Sequence, residues 1–554
     1  NWNMDWERPV NMSYINEQGD MVFNQDVNLE MCGGWSRAWT PHSFKLKGEK
    51  EFGGNKNLNY PFFSAKPYIR NRTLQVRNGG NDYNCRIKDA ALATIMQTAG
   101  FDIDLQSYQP VHEFINGQYI GVLNVREPNN KHYAYANYGY DNEMIEQFEM
   151  GPDSGYVQKE GTGECYQRLY NLSADAAKAN TYEEIKQMLD IDEYTNYMAA
   201  LMYTGGTDWP QNNIKGFTLK EGGKFRFVSF DLDFTFNTND PFNTFERKQN
   251  YTFDELYNGL PRVQQEIKFV TIFLNMLNNQ DFRKKFIDTY CLMGGSVFEP
   301  QRCNEIIDSL ATKVQPEMAL KGESPNNSAN SLKGSLYDRL ATMINALKSY
   351  WRMKLTEATP VDGILASDTK GARIEINGID VPTGNFNGKL FAPVTIKAVA
   401  PAGYKFAGWR SAAETGSTIL AQYSNWKYYD KGSLDNTNWT TSQYNDNNWQ
   451  QGKAPLGYGK DGLNTTISYG SNSRNKYPTY YFRQTIDLTK APKADSKVYM
   501  NIVVDDGCII YVNGKEAYRY NMPQGNVNFN TVSSTYAPGN PDHATISFDA
   551  SLLK

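Results

Sequence analysis

The sequence predicts an α+β fold followed by all-β modules, and three observations carry that expectation. Apolar residues alternate in short runs up to about residue 127 and recur at helical spacing from about 130 to 355. After Pro360 the chain returns to short strand-like runs bounded by Gly, Asn and Pro. At 554 residues the chain exceeds what one core organises, so several domains are expected. Its 40% hydrophobic and 21% charged residues are those of ordinary globular material. The net charge of -5 argues against a general nucleic-acid binder. No apolar run approaches ~18 residues, so no transmembrane helix is expected. The chain starts at Asn1 with no signal-like stretch, as expected where a leader has been removed.

Strands are expected over 27–31, 43–47, 73–77, 111–115 and 119–125, and Asn116-Gly117 between the last two is a hairpin turn. Between Asp82 and Gly100, RIKDAALATIMQTAG has helical spacing, and Gly100 is its natural stop. Helices are expected over 181–189, 191–203, 253–278, 282–292, 303–314 and 335–356. The Ser-, Asn- and Gly-rich stretch 322–334 is expected as an exposed connection. Residues 361–410 and 424–554 read as two β units, the second with sandwich or jelly-roll spacing and a truncated end. The cysteines, Cys32, Cys85, Cys165, Cys291, Cys303 and Cys508, show no metal-like spacing and are expected as buried thiols; a Cys291–Cys303 bridge stays open. Four histidines make His-rich zinc chemistry improbable.

The segment 208–233 carries the chemistry. Asp208 is followed five residues later by Asn213, and the apolar run 225–230 then delivers Asp231 and Asp233. A carboxylate that accepts a hydroxyl proton, with an amide and further carboxylates that hold Mg²⁺ on phosphates, is a phosphoryl-transfer set. Protein kinases space their catalytic-loop Asp and Asn the same way. The structural alternative has Asp208 capping a turn, Asn213 as a surface amide and the Asp231–Asp233 pair ending a strand at solvent. Upstream, the Gly33-Gly34 turn with Arg37, and Lys45 on an alternating strand, are candidate phosphate contacts; a plain hairpin turn and a solvated lysine are the alternatives. Asp82 either pairs with a phosphate-binding lysine or caps the following helix. Glu127 lines a nucleotide pocket or is a hinge acid.

In this order, GGWSRAWTPHSFKLK, YPFF, LQVRNGGNDYNCRIKDAAL, FINGQYIGVLNVREPNN, GGTDWPQNN and FVSFDLDFTF resemble the spore coat protein H (CotH) kinase family, in its secreted, multidomain bacterial form. The resemblance implies an atypical protein-kinase-like domain, with a β-rich N-lobe over 1–128 and a helical C-lobe over 129–358. A small all-β module (359–412) and a galactose-binding-like jelly roll (420–554) would follow. It implies ATP with Mg²⁺ or Mn²⁺, and transfer to Ser/Thr of extracellular or surface proteins by a secreted or cell-surface protein. Asp208 would be the catalytic acid, Asn213, Asp231 and Asp233 the metal residues, and Gly34, Arg37, Lys45 and Glu127 the nucleotide contacts. His42 stands where the family usually has a lysine, and no His-Arg precedes Asp208.

Two rivals remain. A non-catalytic surface scaffold would hold Ca²⁺ on the same acids and bind glycan or protein through its β modules. A DxDxT-type phosphatase would use Asp231 as nucleophile and Asp233 as acid/base. That fold needs a parallel α/β sheet around the motif, which the strand pattern before Asp231 does not predict.

Overall fold

Strand alternation builds the first layer. β1 (Glu7–Ile15), β2 (Met21–Met31), β3 (Phe44–Gly48) and β4 (Thr73–Arg77) precede helix α1 (Lys88–Gln97); β5 (Asp104–Leu105), β6 (Tyr108–Ile115) and β7 (Gln118–Arg126) follow it. A six-stranded antiparallel sheet runs in the order β1-β2-β3-β4-β7-β6. Val27, Phe44, Leu46, Leu74, Val76, Leu123 and Val125 bury one face against Phe62 and Phe63. Asn116 and Gly117 turn the β6–β7 hairpin with positive φ at both positions, as expected. α1 is apolar on most sides and lies in the interior. Asp82 Oδ2 accepts from the Ile87 and Lys88 amides at 2.8 and 2.7 Å, so Asp82 closes the start of the helix. The computed structural model describes residues 4, 6–49, 55–66, 68–82, 86–151, 155–253, 263–337, 339–367, 369–409, 419–421, 423–460, 462–488, 491–492, 496–534 and 542–553.

The next stretch holds α2 (Lys131–Tyr138), β8 (Ile145–Gly151), β9 (Gly155–Glu160), α3 (Glu164–Ser173), α4 (Ala179–Met188), α5 (Ile191–Thr204), β10 (Ile214–Leu219) and β11 (Arg226–Ser229). A second sheet has the order β5-β11-β10-β8-β9, with only the β5–β11 pairing parallel. β8 and β9 fall where helix was expected. Buried Glu146 and Gln147 interrupt the apolar alternation of β8. Glu146 is satisfied by the Thr162 hydroxyl and the Cys165 amide, each at 3.1 Å, which is why a strand can carry it inside.

The helical part continues with α6 (Pro241–Glu246), the pair β12 (Asn250–Phe253) and β13 (Val263–Glu266), α7 (Lys268–Met276), α8 (Gln280–Leu292), α9 (Pro300–Ala319), α10 (Asn326–Tyr337) and α11 (Arg339–Ser349). The helix expected over 253–278 therefore begins only at Lys268; residues 254–262 lie outside the described residues. The connection expected over 322–334 is largely helix α10, because Ala329, Leu332 and Leu336 form a buried stripe at helical spacing. Phe227, Tyr194, Tyr197, Phe269, Phe273, Phe282 and Phe286 interlock in the core between β11 and the helices. Burying one such side chain is worth about 1.5–3 kcal/mol. Cys291 and Cys303 are both free thiols, so no bridge joins them; Cys85 lies outside the described residues.

Residues 360–399 form β14 (Pro360–Leu365), β15 (Arg373–Ile376), β16 (Ile379–Asp380), β17 (Phe386–Phe391) and β18 (Ile396–Val399). Their apolar residues Ile374, Ile376, Phe386, Leu390 and Phe391 join the helical core. A π-helical turn, Met293–Val297, receives them. A side chain at Gly295 would collide with the Phe386 ring, and Ser296 Oγ lies 2.7 Å from Thr383 Oγ1.

Two compact units result, Asn1–Phe406 and Ala407–Lys554. The second is built from two- and three-stranded sheets, among them β19 (Asn425–Tyr429) between β20 (Gln450–Lys453) and the later strand Tyr481–Arg483. Leu434, Trp449 and Tyr481 form its main core.

Candidate functional site

The buried strand β11 runs into Phe230 and stops at Asp231, which takes φ +59° and opens a short 3-10 turn, Leu232–Phe234. Asp tolerates that left-handed backbone better than most residues. Arg77, at the end of β4, donates from Nη2 to Asp231 Oδ1 at 2.5 Å. Its Nη1 lies 4.0 Å from Asp89 Oδ2. Asp89, in the first turn of α1, accepts from Arg126 Nη1 at 2.9 Å and from the Leu232 amide at 3.1 Å. One carboxylate thus ties β7, α1 and the turn after β11 together. Burial works against the Arg77 charge, but Asp231, Asp89 and Asp233 outweigh it and hold the guanidinium above its ordinary value. Asp233 is buried beside Gly80, where a Cβ would overlap the Asp233 carboxylate and come within 3.1 Å of Arg77 Nη2. The glycine at position 80 is a steric requirement of this cluster.

Asp208 lies on the loop between α5 and β10. Its Oδ2 accepts from Asn212 Nδ2 and from Asn213 Nδ2, each at 3.1 Å. The expected Asp208–Asn213 pair is therefore in direct contact. Next to it Trp209 anchors the loop, donating from Nε1 to the Tyr197 hydroxyl at 3.1 Å and leaning on Phe245. Lys248, just after α6, donates to the carbonyls of Thr207 and Trp209 at 2.5 and 2.8 Å and so straps the loop on both sides of Asp208. Burial is the largest influence on Asp208 and raises its pKa; Asn212 opposes, Asp231 adds, and Lys248 and Asn213 pull back. The balance lies above the ordinary carboxylate value, and the Asp231 contribution places both acids in one electrostatic field. Burial lowers Lys248 to about 8 against the pull of Asp208.

The other expected residues separate. Lys45 projects from β3 with Nζ 3.7 Å from Glu30 Oε1. Its charge reaches Lys215 on β10, whose amine burial has already lowered and which Glu149 holds at 2.9 Å. Arg37 sits in a 3-10 turn, Trp35–Ala38, and donates to the Met4 carbonyl at 3.4 Å. Burial pushes the Cys32 thiol up to about 11, while Lys45, Arg77 and Arg37 pull it down, so these three cations share one neighbourhood. Gly34 has φ -83° with open space where a Cβ would stand; the left-handed glycine is Gly33, at φ +106°. His42 lies with Nδ1 3.0 Å from the Arg37 carbonyl. Glu127 is fully buried and its carboxylate is filled by the protein. It accepts from Lys66 Nζ at 3.0 Å, the Ser107 amide at 2.5 Å, Asn137 Nδ2 at 3.0 Å and the Tyr68 hydroxyl.

Sequence reading missed Arg77, Asp89, Arg126 and Lys248 as members of this site. Arg77 and Asp89 stand inside the quoted LQVRNGGNDYNCRIKDAAL stretch, but their partners lie far along the chain: Arg77 and Asp231 are 154 residues apart.

The candidate metal donors, from Asn213, Asp231 and Asp233, are all hard oxygen. Among the described residues no group of three or more acidic, His or Cys side chains is close enough to cage an ion alone. One or two carboxylates that complete their shell with substrate phosphates and water are what Mg²⁺ takes, so these residues fit a nucleotide-bound Mg²⁺ or Mn²⁺.

Residues 29–355, more than half of the chain, match the family model described as CotH kinase protein. The crystal structure of the Helicobacter pylori proinflammatory kinase CtkA aligns over 51% of this chain and 92% of its own, at 10% identity and a TM-score of 0.25. No curated protein matches.

Proposed function

This chain belongs to the CotH kinase family, and on that premise we propose that it transfers the terminal phosphoryl group of metal-bound ATP to a serine or threonine hydroxyl of a protein. The observation that carries the reading is the hydrogen-bonded Asp208–Asn213 pair lying in the electrostatic field of Asp231. Asp208 accepts the proton of the incoming hydroxyl, and its raised pKa makes it a stronger base than a carboxylate in water. Asn213 orients Asp208 and, with Asp231 and Asp233, holds the metal. The metal, when bound, screens the phosphate charge as the hydroxyl attacks. Arg77, with Lys45 and Arg37 in the same neighbourhood, supplies positive charge for the phosphates on this reading. On this reading the six-stranded sheet serves as the nucleotide-covering lobe and the helical part carries the catalytic loop.

The His42 substitution favours the rival scaffold reading, because it removes a cation that the family usually supplies. The cluster of Lys45, Arg77 and Arg37 around Cys32 keeps positive charge in that neighbourhood. Incubation with γ-labelled ATP and Mn²⁺ or Mg²⁺ decides between them. Label on the chain or on an acidic protein acceptor is expected for the wild type and is lost in Asp208→Ala and Asp231→Ala. Equal labelling by all three proteins would sink the assignment, and no label together with no ATP binding by calorimetry would turn the reading to the scaffold.

A further inference from the structure

We propose that Arg77 is the phosphate-gripping cation of this candidate site and that it neutralises Asp231 until metal and nucleotide arrive together. The inference rests on the kinase reading. Of the other cations nearby, Lys45 and Lys47 pair with Glu30, Lys66 with Glu127 and Lys215 with Glu149, while Lys88 and Lys248 donate to the backbone carbonyls of Thr235, Thr207 and Trp209. Arg77 instead spends its Nη2 on Asp231, a residue the metal needs, at 2.5 Å.

Several features make Arg77 suited to the change of partner. Its guanidinium is a permanent charge at any working pH, as an arginine is by its own chemistry. Its second arm lies 4.0 Å from Asp89, beyond hydrogen-bond reach yet within strong attraction. Asp89 itself is fixed by buried Arg126 and by the Leu232 amide, so it remains in place to steer Arg77 once Asp231 is occupied. Beside them Gly80 leaves no side chain between Arg77 and Asp233. A planar fork is matched to phosphate oxygens, to which it donates two parallel hydrogen bonds. Arg77, on β4, would thereby stand in for the lysine whose place His42 takes just before β3. It would also couple the two ligands, since a cation on Asp231 frees Arg77 for phosphate and a phosphate draws Arg77 off Asp231.

The test is binding, not turnover. Mn²⁺ alone, Mn²⁺–ADP and adenosine are titrated calorimetrically into the full chain and into Arg77→Gln and Arg77→Lys. For Arg77→Gln, Mn²⁺ alone is expected to bind several-fold more tightly, because the competing cation is gone. Mn²⁺–ADP is expected to bind at least tenfold more weakly, and adenosine unchanged. Arg77→Lys, which keeps the charge without the fork, should fall between. A purely structural role would weaken all three ligands together, and that pattern overturns the proposal. So does Mn²⁺–ADP affinity unchanged in Arg77→Gln. Wild type that binds no Mn²⁺–ADP overturns both this proposal and the kinase reading, whereas wild-type binding without an Arg77 effect overturns the proposal alone.

Discussion

Asp208 is a weaker acid than a carboxylate in water because burial and Asp231 both disfavour its charge. In the proposed role of base it would have to be unprotonated, so kcat/KM should fall as pH drops through a pKa above the ordinary carboxylate value. The acid limb of the pH–rate profile measures this, and Asp208→Asn should lose about 10²–10⁴ in kcat. Lys248 supplies a second check. Lys248→Met removes the positive charge that lowers the Asp208 pKa, so the acid limb should move to higher pH. It also releases the Thr207 and Trp209 carbonyls, and a looser loop should lower kcat by about tenfold. At this scale the sequence told as much as locality allowed. Asp208 and Asn213 were legible because five residues of one loop separate them. Arg77 and Asp89 were not, since a carboxylate far along the chain gives each its meaning. Glu127 was visible as a polar residue at a strand end, but nothing local announced that Lys66, Tyr68, Ser107 and Asn137 would converge on it.

Between elements, one arginine fastens the start of α1. Arg86 is buried, donates to the Val122 carbonyl at 2.7 Å, and pairs with both oxygens of Glu323 at 2.9 and 3.2 Å. Arg86→Ala should cost about 3 kcal/mol, read from denaturant midpoints, because it strips a partly buried carboxylate of its partner. Glu113 on β6 has the opposite character: burial raises its pKa to about 7 from 4.5, with Arg86 opposing. The folded protein therefore retains a proton between those values that the unfolded chain releases. Stability should decline as pH rises from 4.5 towards 7, and Glu113→Gln should flatten that dependence. Element positions were legible wherever the period was clean. β4 runs over Thr73–Arg77 as expected, and α5 ends at Thr204, one residue beyond the expected stop. Pro261 was the signal against one helix from 253 to 278, since proline disfavours helix in itself and in its predecessor. α10 was hidden because Ser, Asn and Gly fill most of its length and only Ala329, Leu332 and Leu336 mark its apolar buried stripe.

Across the molecule, the change to β texture after Pro360 was plain in the sequence, but its packing was not. Phe386 and Leu390 alternate as they would in a self-sufficient module, and only the Gly294-Gly295 turn, far upstream, reveals where Phe386 goes. A chain ended at residue 358 should therefore expose that turn and the apolar surface around it, and melt well below the full protein. A chain ended at 406 should keep its core, its melting transition and its nucleotide binding, because the two compact units divide there. Parallel thermal melts of the two truncations check this, and equal melting would refute the shared core.

The left-handed backbone at Asp231 has a consequence for descent. Asparagine and glycine are at ease in that conformation, and a single nucleotide change turns an aspartate codon into an asparagine codon. A lineage can therefore remove that carboxylate charge at one stroke while the polypeptide still folds, leaving Arg77 beside a neutral amide. If Asp231 holds the metal as proposed, relatives that have abandoned the reaction should carry Asn at this position with the fold and the left-handed turn intact, so position 231 is where a retired enzyme would be recognised.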